Sequence, residues 1–205
     1  MLDESTAFID GYTSYFAFSR KKTGYSGVAT FCKTDFTPNQ AEEGLGSTLP
    51  SSSNSDNIGY NENILQEFSS EELKSLDSEG RCVITQHQIQ TEGDAENVKK
   101  LAIINVYCPQ DRGGERLEYQ LKFYKLLEMR AVNLIKAGVS VIILGDINCS
   151  HKEIDHCEPY PDFHLKPSRQ WMDQLLHNKP SEEDLDWKIN SYPEKYGKDT
   201  FFKPI

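Results

Sequence analysis

A chain of 205 residues is long enough for one domain with a sizeable core, or for part of a larger one. Its formal charge of -10 argues against a general polyanion binder, whose footprint would be strongly basic, but leaves room for a local phosphate site. No apolar run approaches the roughly 18 residues a membrane span needs, the start Met1 to Thr6 lacks the character of a secretory signal, and Cys32, Cys82, Cys108, Cys149 and Cys157 form no C-x-x-C pair, so no membrane, disulfide framework or zinc site is expected and a reducing compartment fits.

Tyr12 to Ser19 alternates aromatic and small residues and predicts a half-buried strand. Arg20 to Gly24 turns, and Gly27 to Cys32 returns as a second strand. Composition alone makes Arg20, Lys21 and Lys22 a solvated hairpin tip. Thr37 to Asn61 is rich in Ser, Asn, Gly and acid, so a mobile low-complexity excursion is expected over about residues 37–68. Ser69 and Glu72 have capping-box spacing and open a helix toward Leu76.

Asp77 to Ile89 enters a strand after Gly80, with Val83 and Ile84 at its middle, and Thr91 to Lys100 is polar enough to read as the next turn. His87 lacks a second ligand at metal-like spacing and reads as a strand histidine. Leu101 to Tyr107 is a buried strand stopped by Pro109, which cannot continue a ladder. Apolar residues at three- and four-residue intervals, from Leu117 to Ile135, predict a helix from about Glu115 to Ala137, with Gly138 as its stop. Val139 to Leu144 then reads as a buried central strand; Cys157 to Pro167 is an irregular loop, and Ser168 to His177 a short amphipathic helix whose His177 complements the helix C-terminus.

Asp146 and Asn148 follow the strand Val139 to Leu144. Side chains two apart on a strand leave on one side, so an acid and an amide would face one cavity. Such a pair can take a proton from water, bind a hard cation through oxygen, or hold a phosphate oxygen. Taken as four residues, G-D-I-N is equally a turn, since Gly, Asp and Asn are turn formers.

The strings G-Y-S-G-V, D-S-E-G-R, N-V-Y-C-P, E-R-L, G-D-I-N, H-K-E-I-D and R-Q-W-M-D, in that order between Gly11 and Leu176, resemble the exonuclease III-like apurinic/apyrimidinic endonucleases of the endonuclease/exonuclease/phosphatase superfamily. The resemblance implies an α/β fold, a four-layer sandwich of two mixed β-sheets flanked by helices. It implies Mg- or Mn-dependent hydrolysis of phosphodiester bonds in damaged double-stranded DNA: cleavage at abasic sites and 3′-to-5′ exonuclease or 3′-phosphodiesterase action in base excision repair. Tyr107, Asp146 and Asn148 inherit catalytic roles, Asp146 and Asn148 also a metal-binding one, and Gly24, Tyr25 and Gln110 approach DNA. Physically, a glycine lets backbone approach a phosphate, and an aromatic ring can rest against sugar or bases. His151 supports the site or shapes its loop, Asp155 braces that loop, and D-S-E-G-R begins a core strand.

The family's upstream W-N-x-N and L-Q-E-T strands and its terminal S-D-H do not occur. Leu65-Gln66-Glu67 spells L-Q-E, but it follows the G-Y-S-G-V hairpin instead of preceding it and is not the metal glutamate. Residues 1–205 therefore read as a partial domain truncated at both ends, a fragment, alternative product or incomplete gene model that is catalytically incomplete. Sliding-clamp binding is expected only of a full-length member. The resemblance implies the nucleus, with mitochondrion and cytoplasm as further compartments. Two other readings stay open: a non-catalytic DNA-binding or regulatory fragment, and a phosphatase or deadenylase of the same superfamily, which would share G-D-x-N but not G-Y-S-G-V and D-x-E-G-R.

Overall fold

The computed structural model describes residues 4–49, 58–91, 94–158 and 160–177. After a single helical turn, α1 (Glu4–Ala7), the alternating aromatic stretch forms β1 (Tyr12–Ala17), which pairs antiparallel with β2 (Val28–Lys33) in a two-stranded sheet. A second sheet has the order β3 (Gln40–Glu43), β4 (Cys82–Thr91), β5 (Asp94–Tyr107), β6 (Ser140–Asp146). Its first two pairings are antiparallel and the last is parallel. A parallel neighbour cannot be reached by a hairpin, and the chain crosses over through α4 (Leu117–Lys136). Helices α2 (Glu62–Glu67), α3 (Ser70–Asp77) and α5 (Pro167–His177) complete the described elements.

Alternation along β5 sorts its two faces. Ala102, Ile104 and Val106 are buried in one core cluster with Phe123, Tyr124, Leu127 and Leu134 of α4, Ile64 of α2, and Leu73 and Leu76 of α3. On the opposite face, β1 and β2 pack against β4 and β5. There the Asn105 amide donates to the carbonyl of Ala29 and to Thr30 Oγ1, each at 3.0 Å, and ties the two sheets together. The expected architecture, two sheets flanked by helices, is present. The expected capping box is also formed: Ser69 accepts from the Glu72 amide at 3.3 Å while the Glu72 carboxylate accepts from the Ser69 amide at 2.9 Å.

Three expectations are corrected. The polar stretch 37–68 holds a strand, β3, and contributes Leu45, Ile58, Ile64 and Phe68 to the core; its Ser-rich centre, residues 50–57, lies outside the described residues. The missed signal is polar. Fully buried Arg130 of α4 donates to Glu42 Oε2 at 2.5 Å and to Ser47 Oγ at 2.9 Å, and Asp77 Oδ1 accepts from the amides of Leu45 and Gly46 at 2.8 and 2.9 Å. Second, residues 94–100, read as part of a turn, belong to β5, where Val98, Lys99 and Lys100 pair with Gln90, Ile89 and Gln88. Third, among the described residues the stretch Val139 to Leu144 is not central. β6 is an edge strand among the described residues, and Ile142 and Leu144, on the face shared with Ile103 and Asn105, stay 45 % and 41 % exposed because β1 and β2 cover β4 and β5.

Removing one partner of a buried ion pair strands the other charge, which typically costs about 3–5 kcal/mol. Arg130→Ala, which leaves Glu42 in that position, is expected to lose stability on that scale, read from urea unfolding midpoints. An apolar edge is a template for association, so Leu144→Lys is expected to reduce concentration-dependent self-association in sedimentation velocity, with the thermal midpoint essentially unmoved.

Candidate functional site

The site gathers at the C-terminal ends of β5 and β6. Their parallel register sets Tyr107 directly beside Asp146, and beyond them the Cys108 amide donates to the Asp146 carbonyl at 2.8 Å. Asn148 is not a further strand residue. The strand ends at Asp146 and Asn148 has a left-handed backbone, φ +54°, so the alternation argument for a shared face does not apply. The two are brought together by a turn instead: Asp146 Oδ1 accepts from the Asn148 amide at 2.9 Å, and Asn148 Nδ2 donates to the Cys108 carbonyl at 2.7 Å.

α4 holds this turn from below. Tyr124, stacked on Trp171 at 4.0 Å, donates its hydroxyl to the Ile147 carbonyl at 2.7 Å, and Gln120 Nε2 donates to the Pro109 carbonyl at 2.7 Å. Burial pushes the Tyr124 phenol well above its ordinary value and keeps it a donor. Asp146 is exposed, Tyr107 is 36 % exposed, and Gln110 is exposed on the loop that leads to α4.

The Gly24–Tyr25 turn reaches this corner through one guanidinium. Arg81, 4 % exposed, donates from Nη1 to the Tyr107 carbonyl at 2.9 Å and from Nη2 to the Tyr25 hydroxyl at 3.0 Å, and it lies 4.8 Å from the Tyr107 ring centre and 5.4 Å from that of Tyr25. Glu79, 3 % exposed, accepts from Arg81 Nε at 2.7 Å and from Arg116 at 2.6 Å; Arg116 also donates to the Tyr25 hydroxyl at 3.0 Å. Burial opposes ionisation of Glu79, but hydrogen bonds and charge from Arg81 and Arg116 outweigh it, and its carboxyl lies below the ordinary value. Tyr25 is therefore tied inward by its hydroxyl. Gly24, φ +68° with open space where a Cβ would stand, stays available for close approach.

Glu79, Arg81 and Arg116 carry this arrangement, and reading D-S-E-G-R as the mere start of a core strand missed it. The available signal was an acid and a base flanking one glycine at a strand entrance. Gly80 has φ +61°, and a Cβ there would come 2.2 Å from the Phe18 carbonyl carbon, so Glu79 and Arg81 sit where β1 meets β4. Other positions behave as read: Glu67 pairs with Lys125 on a helix surface, Asp155 Oδ2 braces its loop by accepting from the Lys152 amide at 3.0 Å, and His87 contacts Thr85 Oγ1 at 3.0 Å. His151 faces Asp173 at 3.2 Å.

Asp146 and Asn148 offer oxygen donors to a hard cation. Among the described residues no cluster of three or more His, Cys, Asp or Glu side chains could hold a metal ion. No helix among the described residues is long and apolar enough to cross a membrane.

Glu79 supplies a pH test. A carboxyl whose value is lowered by folding stabilises fully above its ordinary value, 4.5, and loses that contribution as pH falls through the lower folded value. Glu79→Gln is expected to be less stable than the parent at pH 7 by roughly 1.5–3 kcal/mol, the range for hydrogen bonds to charged groups. The gap should close as the solution is acidified below pH 4.5, seen in denaturant midpoints across pH.

The chain is similar to proteins named DNA-(apurinic or apyrimidinic site) endonuclease 2. It is 51 % identical over 187 residues to that of Mus musculus, covering 89 % of this chain and 35 % of the mouse protein, and 51 % identical over 181 residues to that of Homo sapiens, covering 86 % and 34 %. An exodeoxyribonuclease of Bacillus subtilis is 28 % identical over 151 residues, covering 73 % of this chain and 44 % of that protein. The crystal structure of the Xenopus laevis APE2 catalytic domain superposes with a TM-score of 0.75 at 47 % identity, covering 86 % of this chain and 55 % of that domain. The chain thus spans about a third of the length of the mouse and human relatives. No protein-family model matches it.

Proposed function

Most of this chain is homologous to DNA-(apurinic or apyrimidinic site) endonuclease 2, and from that we propose that it is the part of a DNA-repair nuclease that receives the scissile phosphodiester. The observation that carries the reading is the register of Tyr107 with Asp146 at two parallel strand ends, with Asn148 fastened beside them.

In this reading the substrate is damaged double-stranded DNA, opened at abasic sites or trimmed from 3′ ends in base excision repair, and the nucleus is the compartment implied. Asp146, exposed at the strand end, orients or deprotonates the attacking water, or protonates the leaving oxygen. The Tyr107 hydroxyl and the Asn148 side chain hold phosphate oxygens as charge develops on them. Asp146 and Asn148 would hold a Mg or Mn ion, which when bound would supply charge neutralisation at the phosphate. Arg81 fixes the Tyr107 backbone and ring, while Gly24, Tyr25 and Gln110 offer the DNA a rim. A second reading, binding without cleavage, is favoured by the thin metal donor set among the described residues.

Both are tested in a chimera in which these residues replace the matching region of the Xenopus catalytic domain, which supplies the remainder of that domain. Single-turnover cleavage of abasic-site duplex and of 3′-recessed DNA in Mg is expected from the chimera. Asp146→Asn is expected to lower it by about 10²–10⁴-fold, the usual contribution of a positioned acid or base. Undiminished cleavage by Asp146→Asn would remove Asp146 from the chemistry. A folded chimera that binds both substrates and cleaves neither would favour the binding reading.

A further inference from the structure

Among the described residues three arginines are almost fully buried, Arg81, Arg130 and Arg169. Arg81 has Glu79 at 2.7 Å and Arg130 has Glu42 at 2.5 Å. Arg169, in the first turn of α5 and 6 % exposed, takes part in no ion pair among the described residues. A buried cation without a counter-charge is costly to hold, so this guanidinium is short of one negative charge.

The shortage lies on one edge of its plane. Nη1 donates to the Tyr160 hydroxyl at 2.6 Å and to the Phe163 carbonyl at 3.0 Å, and the guanidinium carbon stands 3.5 Å from the Phe163 ring centre. Nη2 reaches the Ser150 hydroxyl only at 3.4 Å, and Nε has no hydrogen-bond partner. Nε–H and Nη2–H run parallel, and a guanidinium uses such a pair to grip two oxygens of one oxyanion. The edge suited to an oxyanion is thus the unfilled one, and a serine hydroxyl stands at it.

Acids on the packed elements are otherwise engaged: Asp173 of α5 faces His151, and Asp111 pairs with Lys166. Ser150 is half-buried two residues past Asn148, and the adjacent Cys149 hydrogen-bonds Ser168 in the first turn of α5, where a helix start favours negative charge. From Ile147 to Asp162 the described residues form only one short 3-10 turn, Glu153–Asp155. Ser150 can therefore be drawn into an enzyme's cleft without breaking a strand or an α-helix. Glu153 follows it by three residues, the spacing that acid-directed serine kinases take.

We infer that Ser150 is a phosphorylation site and that Arg169 is the receptor of the phosphoserine. The Ser150 oxygen attacks the terminal phosphorus of a nucleoside triphosphate supplied by a protein kinase. That O–P bond forms, the bridging bond to the nucleoside diphosphate breaks, and the hydroxyl proton passes to the kinase's base. The ester brings a charge of about -1.5 to -2 and three acceptor oxygens, enough to fill Nη2 and Nε together and to supply the counter-charge. The turn that carries Asn148 is then fastened to α5 by an ion pair in place of a long hydroxyl contact. This site stands independently of the nuclease reading.

The test compares the full chain, labelled with ¹⁵N, with and without phosphoserine installed at position 150. In the phosphorylated chain the Arg169 Nε–H resonance is expected to move downfield and to exchange more slowly with water, and the thermal midpoint to rise by roughly 2–4 °C. In Arg169→Gln the rise is expected to vanish; the Nε–H signal decides the matter even if that variant does not fold. An acid-directed serine kinase with ATP is expected to place phosphate on Ser150 of the unmodified chain, mapped by mass spectrometry, and far less on Ser150 of Glu153→Gln. An unmoved Nε–H signal on phosphorylation would overturn the receptor, and no phosphate on Ser150 after exhaustive treatment would overturn the site. The same Nε–H shift produced by inorganic phosphate in the unmodified chain would assign the edge to a free anion and overturn the ester.

Discussion

The close approach of β6 to β5 at Gly145 is the constraint on which the site depends. Gly145 has φ +114°, and a Cβ there would fall 2.0 Å from the Val106 carbonyl oxygen, so every side chain is excluded for two reasons, conformation and backbone contact. With glycine in place the parallel ladder runs on to its last pair, Tyr107 with Asp146. Parallel pairing also requires the long crossover. The crossover helix serves twice: its apolar stripe closes the core, and Gln120 and Tyr124 hold the carbonyls of Pro109 and Ile147 on either side of the site.

A second close approach, at Gly80, joins the smaller sheet to the larger. Besides the contact that a Cβ would make with Phe18, the Arg20 amide donates to the Ser78 carbonyl at 2.7 Å. Flanking that glycine, Glu79 and Arg81 are almost fully buried. Buried ion pairs are poor sources of net stability, because desolvation offsets most of the attraction. Their value here is geometric. An apolar pair of the same volume could fill the space, but it could not fasten a tyrosine hydroxyl on one element and a carbonyl on another from one planar fork.

Elements defined by apolar periodicity were legible in the sequence. The helix read over Glu115 to Ala137 is α4 at Leu117–Lys136, the strand read over Gly27 to Cys32 is β2 at Val28–Lys33, and the helix read over Ser168 to His177 is α5 at Pro167–His177. β3 was not legible, because Gln40-Ala41-Glu42-Glu43 has no apolar alternation; it is a strand because Ala41 and Glu42 pair with Thr85 and Ile84 and because a buried arginine on a distant helix receives Glu42. The polar end of the β4–β5 hairpin read as a turn for a related reason: Val98, Lys99 and Lys100 are exposed, so backbone pairing alone makes them strand. At the candidate site, Asp146 and Tyr107 were singled out from motif position, and their pairing follows from the parallel strands. The contact of Asn148 with Cys108, and those of Glu79 and Arg81 with Arg116 and Tyr25, join residues far apart in sequence, which period and spacing do not encode.

Charge placement links the fold to orientation. Arg20, Lys21 and Lys22 sit on the turn after β1, Arg81 at the entrance of β4, and Arg112 and Arg116 before α4. Arg20 is taken up by Glu43, and the other five of these basic residues thus come from three separate stretches to one cluster, brought there by the contact at Gly80 and the crossover after β5. The chain as a whole is acidic, so a polyanion is repelled by most of its surface and attracted at this side, within a screening length of about 10 Å at 0.1 M salt. For a polyanion such an arrangement favours one angle of approach over strong adhesion. The Gly24–Tyr25 turn and the ends of β5 and β6 lie on that same side, tied to the basic cluster through Arg81.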